Sequence, residues 1–191
     1  MTEAEDHDLG VTEKLAPFGF FLPEHDDLFL FFTSGYVSSD FIVDRLEEIW
    51  PVIDEKYGAD ILTINADNGM ENCSSRTQFI KRLVKFAGRY NMTIKLAYYP
   101  PYHSKYNPVE RVWGVYENHI CGDMMDSVET TMKFAESMTY NGKSPIVNLT
   151  KKMYKTGVRV SEKAMKKYNE FVERMPSLEK WFLTISPGYF G

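Results

Sequence analysis

Two carboxylates hold most of the chemistry this sequence offers, Asp67 and Glu110. Asp67 stands just past Ile61-Leu62-Thr63-Ile64, a β-branched and largely apolar run bounded by Gly58 and by Asn68-Gly69. That run reads as a buried strand, and open α/β sheets place their sites where strands end and neighbouring loops converge. Glu110 follows an aromatic loop opened by Pro100 and Pro101, which stop the run before them because proline neither donates to a sheet ladder nor continues a helix. Asn107 then takes the position of a helix N-cap and Pro108 the first helical position. The loop leaves the strand predicted beside that of Asp67, so the two acids can meet on one sheet edge although far apart in sequence. Acidic oxygens converging there suit Mg²⁺ or Mn²⁺, hard cations that leave positions open for water and phosphate. Each acid has a structural reading as well. Asn107-x-x-Glu110 has capping-box spacing, the glutamate reaching back to the cap residue's N–H, and an Asp before Asn-Gly can serve only to hydrogen-bond a left-handed turn.

The elements that position these residues follow from periodicity. Phe18 to Leu22 and Leu28 to Thr33, separated by Pro23 to Asp27, predict two antiparallel strands joined by a five-residue turn. Ser38 or Ser39 caps a helix with Ile42, Leu46, Ile49, Trp50 and Ile53 on one face, and Pro51 inside it predicts a kink or an early end. Ser75-x-x-Gln78 reads as a second capping box opening a helix. Phe79, Ile80, Leu83, Val84 and Ala87 of that helix face the core, while Lys81, Arg82, Lys85 and Arg89 line the other side. Met92, Ile94, Leu96 and Tyr98 alternate as a half-buried strand, and Val109, Val112, Trp113, Tyr116 and Ile120 predict the helix that begins at Pro108. A helix from Ser127 to Met138 and a turn at Asn141-Gly142 come next. An extended piece over 154–160 precedes a basic helix capped by Ser161 and containing Lys163, Lys166, Lys167 and Arg174. The order β-β-α-β-α-β-α predicts a mixed sheet covered by helices.

A chain of 191 residues, 43% hydrophobic and 15% aromatic, has the composition of a packed globular protein. Cys73 and Cys121 form no disulfide framework and no metal-site spacing, so a reducing compartment is expected. The longest apolar run, Leu28 to Phe32, has five residues, which gives no membrane span, and the start of the chain has no secretory pattern. The net charge of −5 hides an asymmetry: residues 1–60 hold 15 acids against 3 bases, residues 61–191 hold 12 acids against 19 bases. A basic part of this size directs attention to an anionic partner. An acidic lead-in over 1–15, a core domain over 16–140 and an extension over 141–191 are the expected divisions.

Taken together, the strand ending in Asn65-Ala66-Asp67-Asn68-Gly69, a basic helix, a further strand, and then Tyr99-Pro100-Pro101-Tyr102-His103-Ser104-Lys105-Tyr106-Asn107-Pro108-Val109-Glu110-Arg111 resemble the DDE transposases of bacterial insertion sequences. These belong to the RNase H-like (retroviral integrase) superfamily. Within them the sequence is most similar to the Rhodopirellula-type transposase DDE family, from about Asp6-His7-Asp8 to the C-terminus and including Tyr154 to Ser161. The resemblance implies an α/β fold, an RNase H-like mixed sheet flanked by helices, and a two-metal site for phosphoryl transfer at transposon ends. Asp67 matches the second acid and Glu110 the third, with Mg²⁺ or Mn²⁺ as cofactor. His103, Lys105 and Arg111, with Lys81, Arg82 and Lys85 on the basic helix, would contact DNA, and Tyr102 and Tyr106 would pack or stack on a base. The implied partners are transposon-end and target DNA and a further transposase chain, either a second copy or a full-length protein, in the nucleoid-bearing cytoplasm. One departure matters. The first acid of the superfamily lies on a central strand upstream of the first hairpin, and no such strand precedes residue 18, where Asp6 and Asp8 sit in a segment without β character. The expectation is a chain that begins after the first catalytic acid, lacks the first central strand and is inactive alone; the alternative is a non-catalytic DNA-binding or assembly protein.

Overall fold

A computed structural model describes residues 14–100, 103, 106–120 and 127–188. Strands β1 (Ala16–Leu22) and β2 (Asp27–Thr33) form the predicted hairpin, its turn shortened to four residues because Asp27 pairs with Leu22 and Asp26 takes a left-handed backbone. Helix α1 (Ser39–Tyr57) starts at Ser38, whose side chain accepts from the Phe41 N–H, and ends at left-handed Gly58. It runs straight through Pro51 rather than ending there; Pro51 is exposed, where water can take the carbonyl its ring leaves unbonded. Then come β3 (Ile61–Ala66), α2 (Thr77–Tyr90), β4 (Thr93–Tyr98), α3 (Pro108–Ile120), α4 (Val128–Ser137), β5 (Ile146–Thr150), α5 (Glu162–Asn169), β6 (Val172–Arg174) and β7 (Phe182–Ile185). Among the described residues no helix is long and apolar enough to cross a membrane.

The strands form two mixed sheets, β1-β2-β5 and β3-β4-β7-β6, flanked by five helices. Strand β2 explains the apolar run at 28–32. Phe29 and Phe31 enter one core with α1 and α2, while Leu28, Leu30 and Phe32 enter a second with Val112 and Tyr116 of α3 and Ala135 of α4. A strand buried on both faces reads as continuous apolar sequence rather than an alternation. The first core does not stop at the sheet boundary. Phe18, Phe20 and Leu22 of β1 and Leu62, Ile64 and Ala66 of β3 all pack against it, yet β1 pairs only with β2, and β3 only with β4. Among the described residues, one apolar core therefore underlies two open strand edges, β1 in one sheet and β3 in the other. The expected buried strand at 61–64 is corrected accordingly: β3 is an edge strand with Ile61, Thr63 and Asn65 exposed.

Three strands escaped the sequence reading. β5 joins β2 in parallel, and β7 pairs antiparallel to β4 and β6, so the stretch after residue 140 is woven into both sheets. The piece expected as extended at 154–160 forms no strand, and Arg174 lies on β6 rather than on the basic helix. The second capping box is also absent. α2 starts at Thr77 with Arg76 as an N-cap that makes no side-chain bond, because Gln78 donates instead to Asp40 of α1 at 2.8 Å.

That contact belongs to an acid–base seam between the two helices. Arg82 donates to Asp40 and Asp44, each at 2.7 Å, and Arg89 to Glu47 at 3.0 Å. Asp44 also accepts from Lys152 at 2.7 Å and from the Tyr154 hydroxyl at 2.8 Å, tying the later stretch to α1. Burial alone would raise its pKa, but the bonds from Lys152, Arg82 and Tyr154 outweigh that and lower it from 3.8 to about 2. A depressed carboxylate pKa gives stability that is complete above the unfolded value near 4 and is lost as pH falls through about 2. Asp44→Asn should therefore lower the urea midpoint at pH 6, and its deficit against the parent should shrink as pH drops from 4 toward 2. A deficit independent of pH would remove the ionic origin.

Candidate active site at the strand ends

Asp67 is the first residue after β3 and is exposed. Its Oδ1 accepts from Asn72 Nδ2 at 2.9 Å, and its Oδ2 has no partner among the described residues. Neither Asn68 nor Gly69 takes the left-handed backbone expected of an Asn-Gly turn. Gly69 is needed for close approach instead. A Cβ there would lie 3.0 Å from Asn72 Oδ1 and 3.6 Å from both oxygens of Asp67.

The loop that follows Asp67 is held from several directions. The Tyr98 hydroxyl donates to the Asn72 carbonyl at 2.8 Å, and Arg174 to the Ser74 carbonyl at 2.8 Å. Glu71 is the hub. Its Oε2 accepts from the N–H and hydroxyl of Ser39 at 3.1 and 2.9 Å, and its Oε1 from Arg76 at 2.5 Å and the Gly157 N–H at 3.0 Å. Burial opposes the charge, but the N–H groups of Gly157 and Ser39 and the Arg76 guanidinium together hold the carboxyl below its ordinary range. Burial also raises the Tyr98 phenol, keeping it a neutral donor. None of Glu71, Asn72 or Tyr98 was picked out from sequence as a site residue. The one available signal was the polar Glu71-Asn72 pair within five residues of the acid.

Glu110 lies exposed in the first turn of α3. Asn107 does cap this helix, its Oδ1 accepting from the Val109 N–H at 3.4 Å. The return bond of a capping box is not made, and the Glu110 carboxylate has no hydrogen-bond or ion-pair partner among the described residues. The start of α3 is seated on β1 at Gly19, where a Cβ would lie 3.2 Å from Trp113 Cζ2 and 3.5 Å from Val109 Cγ2. Glu110 thus lies on a helix seated against β1, an edge strand of one sheet, and Asp67 follows β3, an edge strand of the other. Parallel pairing of Ala66 with Tyr98 makes the loop toward α3 leave at the level of Asp67.

The other sequence-derived candidates divide. Arg111 is exposed on α3, and His103 stacks on Tyr106 with ring centroids 5.8 Å apart. Lys81 and Lys85 carry no ion pair, whereas the guanidinium of Arg82 is engaged by Asp40 and Asp44. Tyr102, Lys105, Asp6, Asp8 and Cys121 lie outside the described residues. Among the described residues no three His, Cys, Asp or Glu side chains gather as a metal site.

Mixed sheets flanked by helices are those of an RNase H-like α/β domain. The Rhodopirellula transposase DDE domain model matches residues 1–187, and the chain belongs to that family. No curated protein and no solved structure matches it.

Proposed function

We propose that the edge bearing Asp67 and Glu110 supplies two of the three carboxylates of a transposase site for cleaving transposon ends and joining them to target DNA. The observation that supports this is the state of the two acids: both are exposed, and among the described residues Glu110 is unbonded and Asp67 keeps one oxygen free while Asn72 holds the other. The donor set, carboxylate oxygen with neither thiol nor imidazole, is right in kind for Mg²⁺ or Mn²⁺. Bound there, such a cation would supply Lewis-acid stabilisation of the attacking and leaving oxygens of a phosphodiester. The chain's own part is to fix Asp67 through Asn72 and the anchored loop, and to offer His103, Lys105 and Arg111 to the phosphates around Glu110. Lys81 and Lys85 add a second phosphate-facing surface; Arg82 contributes to the α1–α2 seam instead.

Mn²⁺ titration followed by electron paramagnetic resonance tests the pair without requiring turnover. Weak, saturable binding is expected in the parent, with a loss of at least tenfold in both Asp67→Ala and Glu110→Ala. Equal binding in all three proteins would overturn the assignment. A second reading, a non-catalytic DNA-binding or assembly protein, is favoured by the open edges of β1 and β3 among the described residues, which suit a strand from another transposase chain.

A further inference from the structure

Most of the excess positive charge in the later part of the chain sits in one short stretch that the two acids do not use. Residues 151–169 hold Lys151, Lys152, Lys155, Arg159, Lys163, Lys166 and Lys167 against the single acid Glu162. All seven cations are exposed. Lys152 pairs with Asp44, and the other six have no ion pair among the described residues. This differs from α2, whose Arg82 and Arg89 are neutralised by the acids of α1.

The stretch is also fixed in place and fixed beside Asp67. Tyr154, Met165 and Tyr168 are buried in the first core. The Gly157 N–H donates to Glu71, hub of the Asp67 loop, and the Val160 N–H to Thr77 Oγ1 at 2.9 Å, at the start of α2. With Met165 and Tyr168 buried, Lys163, Lys166 and Lys167 fall at i, i+3 and i+4 on the opposite, outer face of α5. A cleft of about 340 Å³ between α5 and the start of α2 is lined by Ser74, Ser75, Thr77, Lys166 and Arg174, with Glu162 at its wall. That carboxylate makes the cleft a poor closed anion pocket, so the cations act as an open ridge.

We propose that this ridge, from Lys151 through α5, seats the backbone of duplex DNA as it runs away from the Asp67 edge. The inference rests on the DNA-processing reading above and adds to it where the flanking duplex lies. Duplex DNA presents a phosphate charge every ~1.7 Å of axis, and lysines on an exposed, ordered ridge neutralise such charges without reading base sequence. The contact is therefore sequence-tolerant and salt-sensitive.

The test is fluorescence anisotropy of a 30-base-pair duplex of arbitrary sequence against the full chain, across salt concentrations. Each phosphate contact adds about 0.9 to the slope of log affinity against log salt. K163A/K166A/K167A should flatten the slope by about 2 to 3, with unchanged melting temperature and equal effect on unrelated duplexes. K155A/R159A lies outside any helix and should flatten it by about 2 even if the α5 variant folds poorly. Parent-like slopes in the folded variants, with the parent binding DNA, would overturn the ridge and leave the catalytic reading standing. A parent that binds no duplex at low salt would remove both.

Discussion

Given Mg²⁺ or Mn²⁺, the purified 191-residue chain should leave transposon-end DNA un-nicked, and nicking should appear when a strand bearing an aspartate is supplied. Two carboxylates can hold one cation weakly, but a two-metal mechanism needs a further acid to fix both ions ~3.5–4 Å apart. Losing about 4 kcal/mol of transition-state stabilisation slows a step ~10³-fold, enough to put nicking below detection. The supplied strand has a place to go, because β1 and β3 have unpaired edges over one shared apolar core. A segment alternating apolar and polar residues could pair on one of these open edges and turn its apolar face to that core. Asp67→Ala and Glu110→Ala should each abolish the restored nicking. Strong nicking by the chain alone, lost in both variants, would show that a third acid lies within it, and Asp6 and Asp8 would be the next positions to change.

The second large effect concerns Glu71. Removing its carboxylate leaves the Arg76 guanidinium, whose side chain is only 12% exposed, without its ion partner, and the Ser39 and Gly157 N–H groups without their acceptor. Breaking a largely buried ion pair from one side costs about 3 to 5 kcal/mol, more than the pair itself contributes. Glu71→Ala should therefore destabilise by about 3 kcal/mol in urea unfolding. Glu71→Gln, which keeps an acceptor but no charge, should cost about half as much. A loss below about 0.5 kcal/mol in the alanine variant would place Glu71 among ordinary surface charges. Because Glu71 ties the Asp67 loop to α1 and to Gly157, its loss should also weaken Mn²⁺ binding, although the side chain is not a proposed ligand.

The two acids were legible because each stands at a boundary that local sequence marks: Asp67 after a β-branched run, Glu110 after Asn107-Pro108. Helix α1, the β3-α2-β4 unit, α3 and α4 were legible for the same reason, since strong periodicity and side-chain caps are local signals. What escaped was set by distant partners. β6 and β7 have three and four residues, too few to show an alternation, and are strands only because β4 supplies a ladder. Arg82 looked free on the outer side of α2 because its acids lie 38 and 42 residues earlier, on α1. Gln78 matched a capping box locally but was drawn to Asp40. The apolar run at 61–64 suggested burial on both faces, yet only Leu62 and Ile64 pack against the core while Ile61 and Thr63 are exposed on the other face.

The open edge of β3 also bears on how long such a polypeptide lasts in a cell. An edge strand presents a row of unsatisfied N–H and C=O groups that pairs with any extended chain nearby, and β3 has neither a proline nor a charged side chain within it to discourage this. Free copies should be captured by holdase chaperones, cleared by proteases, or stacked edge to edge as concentration rises. A partner strand would end all three fates at once. Cellular abundance would then rise when a strand from another chain covers that edge.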